Sequence, residues 1–476
     1  MALPILWFLA PGCGSGGNFP AEPLAATAER TDYDTDGDGK ADFFCLADKA
    51  GRIDRIAYDD NADGKGDRVV HLDAIDPRLS RHLVIVLDGI PFDVLKEFYD
   101  AGHLRIFHPP AVVIPPYPVM TDLAMEDALA YMPCTGFEAR YYDRRAGSLV
   151  GGTGDYLAGK NEPFVRIIDY RASTLDDGLA YLRPKAYFAK ELAAARRIWS
   201  KREKQEVVAY FVSSACLGSR LGKEGQLHAL REVERMTHQV LHETGGLVKF
   251  TLFADHGQTN VPCKPVKLEE YLQGKGYRIV TRLRRDEDVA MVKFGLVTAV
   301  AMNTRQPAKL ADDLLGCEAV TLTSYAQGDE VVVCGRDGKA AIRSTDGKMF
   351  EYKPIEGDPL KLAALAKGKV SGRSLLKLTA DGKHEYPDAL YRLWRAHFAL
   401  AENVPDVIVS LDDRFHNGSG FFAGMVSMVS THGGLNWRNS ATFIMSTAGK
   451  IDGPLRSEDI PAEMKRLFGR DFPARR

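Results

Sequence analysis

The sequence carries little net charge of either sign: 62 Lys and Arg stand against 64 Asp and Glu in 476 residues, a formal net charge of −2. No overall field therefore draws the chain to a nucleic acid polymer or an anionic membrane. It also lacks a long hydrophobic run. The opening stretch Ala2-Leu-Pro-Ile-Leu-Trp-Phe-Leu-Ala10, which precedes the first charged residue Glu22, falls well short of the about 20 apolar residues needed to span a bilayer. None of the 7 cysteines forms a Cys-x-x-Cys pair, which removes zinc-ribbon readings. What is present is 45% hydrophobic and 26% charged residues, the composition of an ordinary globular protein rather than a disordered or collagen-like one. The length suits about two to four domains.

The apolar opening reads as the core of a signal peptide, although no Lys or Arg precedes it. Ala10-Pro11-Gly12-Cys13, followed by Gly-Ser-Gly-Gly, is similar to the lipobox of bacterial lipoproteins. Residues 1–21 are thus expected to be an export segment and Cys13 the lipidation candidate. The expected location is extracytoplasmic: periplasmic, cell-surface or secreted, with a lipid anchor to the membrane. Cys45, Cys134, Cys216, Cys263, Cys317 and Cys334 remain, enough for one to three disulfides of unassigned pairing in an oxidising compartment.

Two acidic repeats follow: Asp34-Thr-Asp-Gly-Asp-Gly-Lys-Ala-Asp42 and, at a 25-residue offset, Asp59-Asp-Asn-Ala-Asp-Gly-Lys-Gly-Asp67. Oxygen donors at alternate positions followed by a turn glycine are what a hard Ca²⁺ ion requires. The candidate ligands are Asp34, Asp36, Asp38 and Asp42 in the first repeat and Asp59, Asn61, Asp63 and Asp67 in the second. Cys45 and Val70 stand where a helix-loop-helix sensor has its bidentate Glu, so residues 30–75 are expected to form a small structural calcium-loop module with short strands. Acidic solvated turns are the plainer alternative.

After Asp76-Pro77 the texture changes. Segments 83–87, 206–212, 247–253, 406–410 and 441–445 are near-continuous apolar runs of the buried parallel-strand kind. Helical spacing over 188–201 and 225–242 lies between them, so the class is α/β, a mostly parallel central sheet flanked by helices. His228, His238 and His242 fall on the second helix, where a solvated face is the default reading. From 282 to 399 shorter strands with Gly-Asp and Asp-Gly turns predict an inserted α+β lobe. The core is then split into 81–281 and 400–476, resuming with the 406–410 strand.

In open α/β sheets, sites form beyond the carboxyl ends of the strands. There the chain places Asp88-Gly89, Asp255-His256-Gly257 and, ahead of the 441–445 strand, His432-Gly-Gly. Two carboxylates and two imidazoles suit a transition metal. A Pro-rich loop delivers Thr121 to the start of a helix, whose first-turn N–H groups and dipole favour a phosphoryl group; an N-cap threonine is the plainer reading.

The ordered series Leu87-Asp88-Gly89, Tyr117-Pro-Val-Met-Thr121, Ala254-Asp255-His256-Gly257 and Ser430-Thr-His432-Gly-Gly434 resembles the alkaline phosphatase superfamily, in particular its type I phosphodiesterase/nucleotide pyrophosphatase branch, over about residues 81–447. The segments 136–145 and Tyr352 with Gly357-Asp-Pro-Leu360 agree with bacterial members. The resemblance implies a hydrolase of small phosphoric esters with zinc or a similar divalent metal. Thr121 would be the nucleophile, forming a phosphothreonine; Asp88, Thr121, Asp255 and His256 would hold one metal, and His432 would belong to a second. The family takes an Asp and a His for that second metal where this chain has Ala215 and Ser219, so only one complete metal site is expected. A non-catalytic binder of phosphate esters, or a calcium-stabilised surface protein, are the alternatives.

Overall fold

Phe43–Ala47 and Ile53–Tyr58, short runs rich in aromatic and β-branched residues, pair antiparallel at the middle of a five-stranded meander completed by Ala25–Ala26, Arg30–Tyr33 and Arg68–His71. The computed structural model describes residues 19–473 other than 132, 158–162, 202, 294 and 419–426; Cys13 lies outside them. The chain divides into two units, one comprising the meander up to Ile75 together with Arg235–Leu247, the other Asp76–Glu234 with Val248–Arg476. In the first, Phe43, Phe44, Cys45 and Ile56 are buried. The end of the helix Lys223–Thr244 contributes His238, whose Nδ1 lies 2.8 Å from the Tyr33 hydroxyl, and His242, whose ring meets the edge of Phe43 at 4.9 Å. The solvated face expected for these two histidines is thus an inward one. Their imidazoles present apolar ring edges to an aromatic core and hydrogen-bond to Tyr33 and Thr35, which charge-blind helical spacing does not separate from a wet surface.

In the second unit the three longest apolar runs become adjacent parallel strands, in the order Glu206–Phe211, Arg81–Leu87, Val248–Ala254. Thr442–Ser446 and Ala111–Ile114 continue the sheet antiparallel, and Leu455–Arg456 closes it in parallel. Three of its five pairings are therefore parallel, the α/β class expected. Register aligns Leu87 with both Phe211 and Ala254, so the residues that follow these strands emerge side by side.

A second sheet of nine strands runs from Arg278–Ile279 to Lys369–Ser371 and is antiparallel after its first pair. Val407–Leu411 lies inside it, between Ala299–Thr304 and Val320–Gln327, rather than returning to the first sheet as the sequence suggested. An apolar run of five residues specifies burial on both faces but not which sheet supplies the neighbours.

The helix Thr121–Leu129 joins the two layers. Leu123 packs with the nine-stranded sheet's Val331 and Val333, while Met125, Ala128 and Leu129 pack with Val84, Val86 and Phe253 of the six-stranded one. All six described cysteines are free thiols, and the expected disulfides do not form among them; the four buried ones fill space as small apolar side chains. No helix among the described residues is long and apolar enough to cross a membrane.

Candidate active site

Asp88 and Asp255 leave their strands at the same level and turn toward each other. Gly89, at φ +70°, makes the turn after Asp88 and donates its N–H to Asp255 Oδ1 at 3.0 Å, which also accepts from His256 N at 2.8 Å. The Tyr210 hydroxyl donates to Asp88 Oδ2 at 2.6 Å, and Ser214 Oγ donates to the Asp88 carbonyl at 2.9 Å. One carboxylate oxygen of Asp88, one of Asp255 and a ring nitrogen of His256 then lie within 4.8 Å of one another, all three residues buried. His256 Nε2 stands 3.6 Å from Asp88 Oδ1, 3.5 Å from Asp255 Oδ2 and 3.3 Å from Thr121 Oγ1.

Tautomers follow from the hydrogen bonds. His256 Nδ1 lies 2.9 Å from the Gly257 carbonyl and His432 Nδ1 lies 2.8 Å from the Val119 carbonyl. A carbonyl only accepts, so both Nδ1 atoms carry the proton and both neutral rings leave an Nε2 lone pair. The rings stack at 3.9 Å between centroids. Burial holds the His256 pKa down to about 4, and burial together with the His256 ring holds His432 down to about 3. Neither is a cation at neutral pH.

The carboxylates are displaced the other way. Burial pushes Asp255 up to about 6, against the opposing pull of its backbone donors and the nearby Thr121 hydroxyl. Asp255 Oδ2 accepts no hydrogen bond of good geometry, a buried acceptor that costs about 1–3 kcal/mol when left so. The donor set of two carboxylates, an imidazole and a hydroxyl fits a zinc-type ion, which would engage that oxygen.

Thr121 is the first residue of its helix, and Met120 occupies the capping position without a side-chain cap. The threonine hydroxyl is therefore not spent on the helix terminus and faces the cluster instead. Thr121 and His432 are half-buried, while Asp88, Asp255 and His256 are buried, so Thr121 and His432 form the accessible lip of the site.

Ala215 and Ser219 lie buried on the helix Ser213–Leu221 and supply no carboxylate or imidazole. The Gln258 side chain fills the space against them, its Nε2 lying 3.4 Å from both the Ala215 carbonyl and Ser219 Oγ. Gln226 Nε2 donates to Gln258 Oε1 at 3.1 Å, and Asn260 Nδ2 to Gln226 Oε1 at 2.9 Å. A neutral amide chain thus stands on this side of the site.

Tyr210, Gln258 and Arg171 were not legible as site residues. Arg171 follows Tyr170, which bridges to Ala209 at the edge of the sheet, and its charge bears on both Asp122 and Tyr210. Only Tyr210 had a signal, its place next to the end of a strand that stops level with Asp88.

In the first unit, the turn Asp34–Asp42 gathers Asp34, Asp36 and Asp38, while Asp42 accepts from Thr35 N and Oγ1. The same scheme recurs one repeat later. Gly39 N and Gly64 N donate to Asp34 and Asp59 at 2.8 and 2.6 Å, and Lys40 N and Lys65 N to Asp38 and Asp63 at 2.8 and 2.9 Å. Thr35 N and Asp60 N donate to Asp42 and Asp67 at 2.8 and 3.0 Å, and Asn61 Nδ2 to Asp67 at 3.1 Å. Alternate hairpins of a meander share an end, and Asp59 N donates to the Asp42 carbonyl at 3.0 Å, so the two acidic turns are neighbours.

No protein-family model and no curated protein sequence matches the chain. Among solved structures it is similar to murine ectonucleotide pyrophosphatase/phosphodiesterase 5, at 10% identity over 83% of this chain and 97% of that one, with a TM-score of 0.44. The human protein of the same name gives 10% identity over 83% and 96%, also with a TM-score of 0.44.

A Cβ at Gly89 would stand 2.8 Å from Gln258 Nε2 in a left-handed backbone conformation. Gly89→Ala is expected to lower stability by about 1–3 kcal/mol, read by urea denaturation; an unchanged midpoint would show that the turn and Gln258 yield freely.

Proposed function

We propose that the protein is a metal-dependent hydrolase of small phosphoric esters, of phosphodiesterase or phosphatase type, that attacks through Thr121. The observation that carries this reading is the uncapped Thr121 hydroxyl directed at a buried cluster of Asp88, Asp255 and His256, in which Asp255 Oδ2 has no donor. Asp88, Asp255, His256 and Thr121 would hold a zinc-type ion, and with Ala215 and Ser219 in place of an acid and an imidazole, a single complete site is the expectation. Such an ion supplies Lewis-acid charge that favours the threonine alkoxide and the developing phosphoryl charge.

The chain's own groups do the rest. Thr121 Oγ forms a bond to phosphorus as its hydroxyl proton passes to solvent and the ester P–O bond breaks, the alcohol departs with a proton from solvent, and water then hydrolyses the phosphothreonine, releasing the phosphate and restoring the Thr121 hydroxyl. The first turn of the helix beginning at Thr121 offers unpaired N–H groups and its positive end to the phosphoryl oxygens. His432 Nε2, fixed by its Nδ1 bond to Val119, offers a lone pair at the lip and belongs to the incomplete second position.

We further propose that the acidic turns of the first unit bind calcium and that the protein works outside the cytoplasm, anchored through lipidated Cys13. The near-zero charge of the whole chain agrees with a small-molecule ester rather than a nucleic acid polymer as substrate.

Two experiments test these readings. Thr121→Ala should reduce aryl phosphodiester or phosphomonoester hydrolysis by at least about a thousandfold, the scale set by loss of a nucleophile, with no phosphorylated protein trapped on acid quench. A variant as fast as the parent would eliminate Thr121, and a parent inactive on every ester class would favour the binding-only alternative. Chelation of calcium with EGTA should lower the melting temperature by ~4 °C or more, scaling with the free ion, and Asp34→Asn with Asp59→Asn should abolish the difference. Superimposable melting curves with and without chelator would contradict calcium binding.

A further inference from the structure

Arg392 is among the largest fully buried side chains of the protein. It stands on the helix Ala389–Phe398, remote in sequence from every residue of the site. Its neighbour Asp388 is taken by Arg456, at 2.6 and 3.0 Å. The Arg392 guanidinium bonds carbonyl and hydroxyl oxygens instead. Its NH1 donates to Pro387 O at 3.1 Å and Leu435 O at 2.9 Å, and its NH2 to Ser440 Oγ at 2.8 Å and, more weakly, Pro116 O at 3.5 Å.

Burying a cation is costly even with the Asp388 carboxylate acting on it, and a hydrophobic side chain would fill such a position more cheaply. Its partners indicate what the charge does. Pro116 lies in the loop that delivers Thr121, and Leu435 in the loop that follows His432. Between those two points the loops are joined by a reciprocal pair of hydrogen bonds: Val119 N donates to Gly433 O at 3.0 Å, and His432 Nδ1–H donates to Val119 O at 2.8 Å. Tyr117, next to Pro116, is tied by its hydroxyl to Ser410 Oγ at 2.9 Å. The cis Tyr117–Pro118 bond falls in the same short span.

We propose that Arg392 is a positioning residue which clamps the Thr121 loop to the His432 loop, fixing the His432 tautomer and the approach of Thr121 to the cluster. This rests on the reading of Thr121 and His432 as working groups, but its primary test does not. The guanidinium presents several donors in a rigid plane and reaches both loops at once, whereas a lysine has one compact ammonium and cannot. Asp88, Asp255 and His256 are held by their own strand ends and by Gly257, none of which Arg392 touches.

The test is ¹⁵N-histidine NMR of the zinc-supplemented full chain, with His432 assigned from a His432→Gln sample, in the parent, Arg392→Lys and Arg392→Met. In the parent both His256 and His432 should show a single tautomer with a hydrogen-bonded, exchange-protected Nδ1–H. In Arg392→Lys the His432 signature is expected to broaden or average between tautomers while that of His256 is retained. kcat for ester hydrolysis should fall at least tenfold, with KM changed less than threefold. Arg392→Met should show the same pattern more strongly. An unaltered His432 signature in Arg392→Lys would overturn the proposal. Global unfolding of Arg392→Lys would overturn it as well, since the arginine would then hold up the fold rather than one pair of loops. A parent without esterase activity would remove the functional reading and leave the NMR comparison to decide the clamp.

Discussion

Two carboxylates leaving neighbouring parallel strands at the same level, out of contact with bulk water, are the constraint around which the second unit is organised. At such separation in a low-dielectric interior, like charges repel strongly. The structure answers with a tyrosine hydroxyl on Asp88 and two backbone N–H groups on Asp255, and still leaves Asp255 Oδ2 without a donor. The residual cost appears as an Asp255 pKa raised to about 6 by burial. A dication among these oxygens removes the repulsion and satisfies the orphaned acceptor together, whereas a proton relieves only one carboxylate. On the reading proposed above, a proton and an ion would compete for Asp255, and the ion would be favoured as pH rises.

The remaining architecture brings the Thr121 hydroxyl to that cluster. The helix beginning at Thr121 is wedged between two sheets with separate cores, so its first residue is fixed by packing on both faces rather than by a cap. The loop ahead of it is paired with the His432 loop through Val119, and both are tied to the lobe through Arg392. The lobe that looks like an appendage in the sequence is in this way tied to the loops on both sides of the cluster. The wall formed by Ala215, Ser219 and Gln258 is neutral and filled, and it offers a cation no carboxylate or imidazole.

Much of this was legible in the sequence because it depends on local pattern. Apolar runs ending in Asp88-Gly89 and Asp255-His256 mark parallel strands whose ends meet, and the doubled Asp-x-Asp/Asn-x-Asp-Gly turns mark equivalent hairpins, which share one hydrogen-bond scheme. What escaped is what depends on three-dimensional neighbours. The run at 406–410 gives no hint that Val407–Leu411 belongs to the nine-stranded sheet. Helical spacing around His238 and His242 does not say that an aromatic core waits opposite. Arg392, one of two arginines on an amphipathic helix, shows its buried setting only through its four oxygen partners. Cysteine number invited disulfides, but the six described thiols, dispersed over separate elements, form none.

On the reading proposed above, the Asp88, Asp255, His256 and Thr121 cluster holds one transition-metal ion. Elemental analysis of the purified full chain, with calcium counted separately, addresses it most directly. One zinc-like ion per chain in the parent and essentially none in Asp255→Asn is the expected result; no such ion in the parent, or the same content in both proteins, would contradict it.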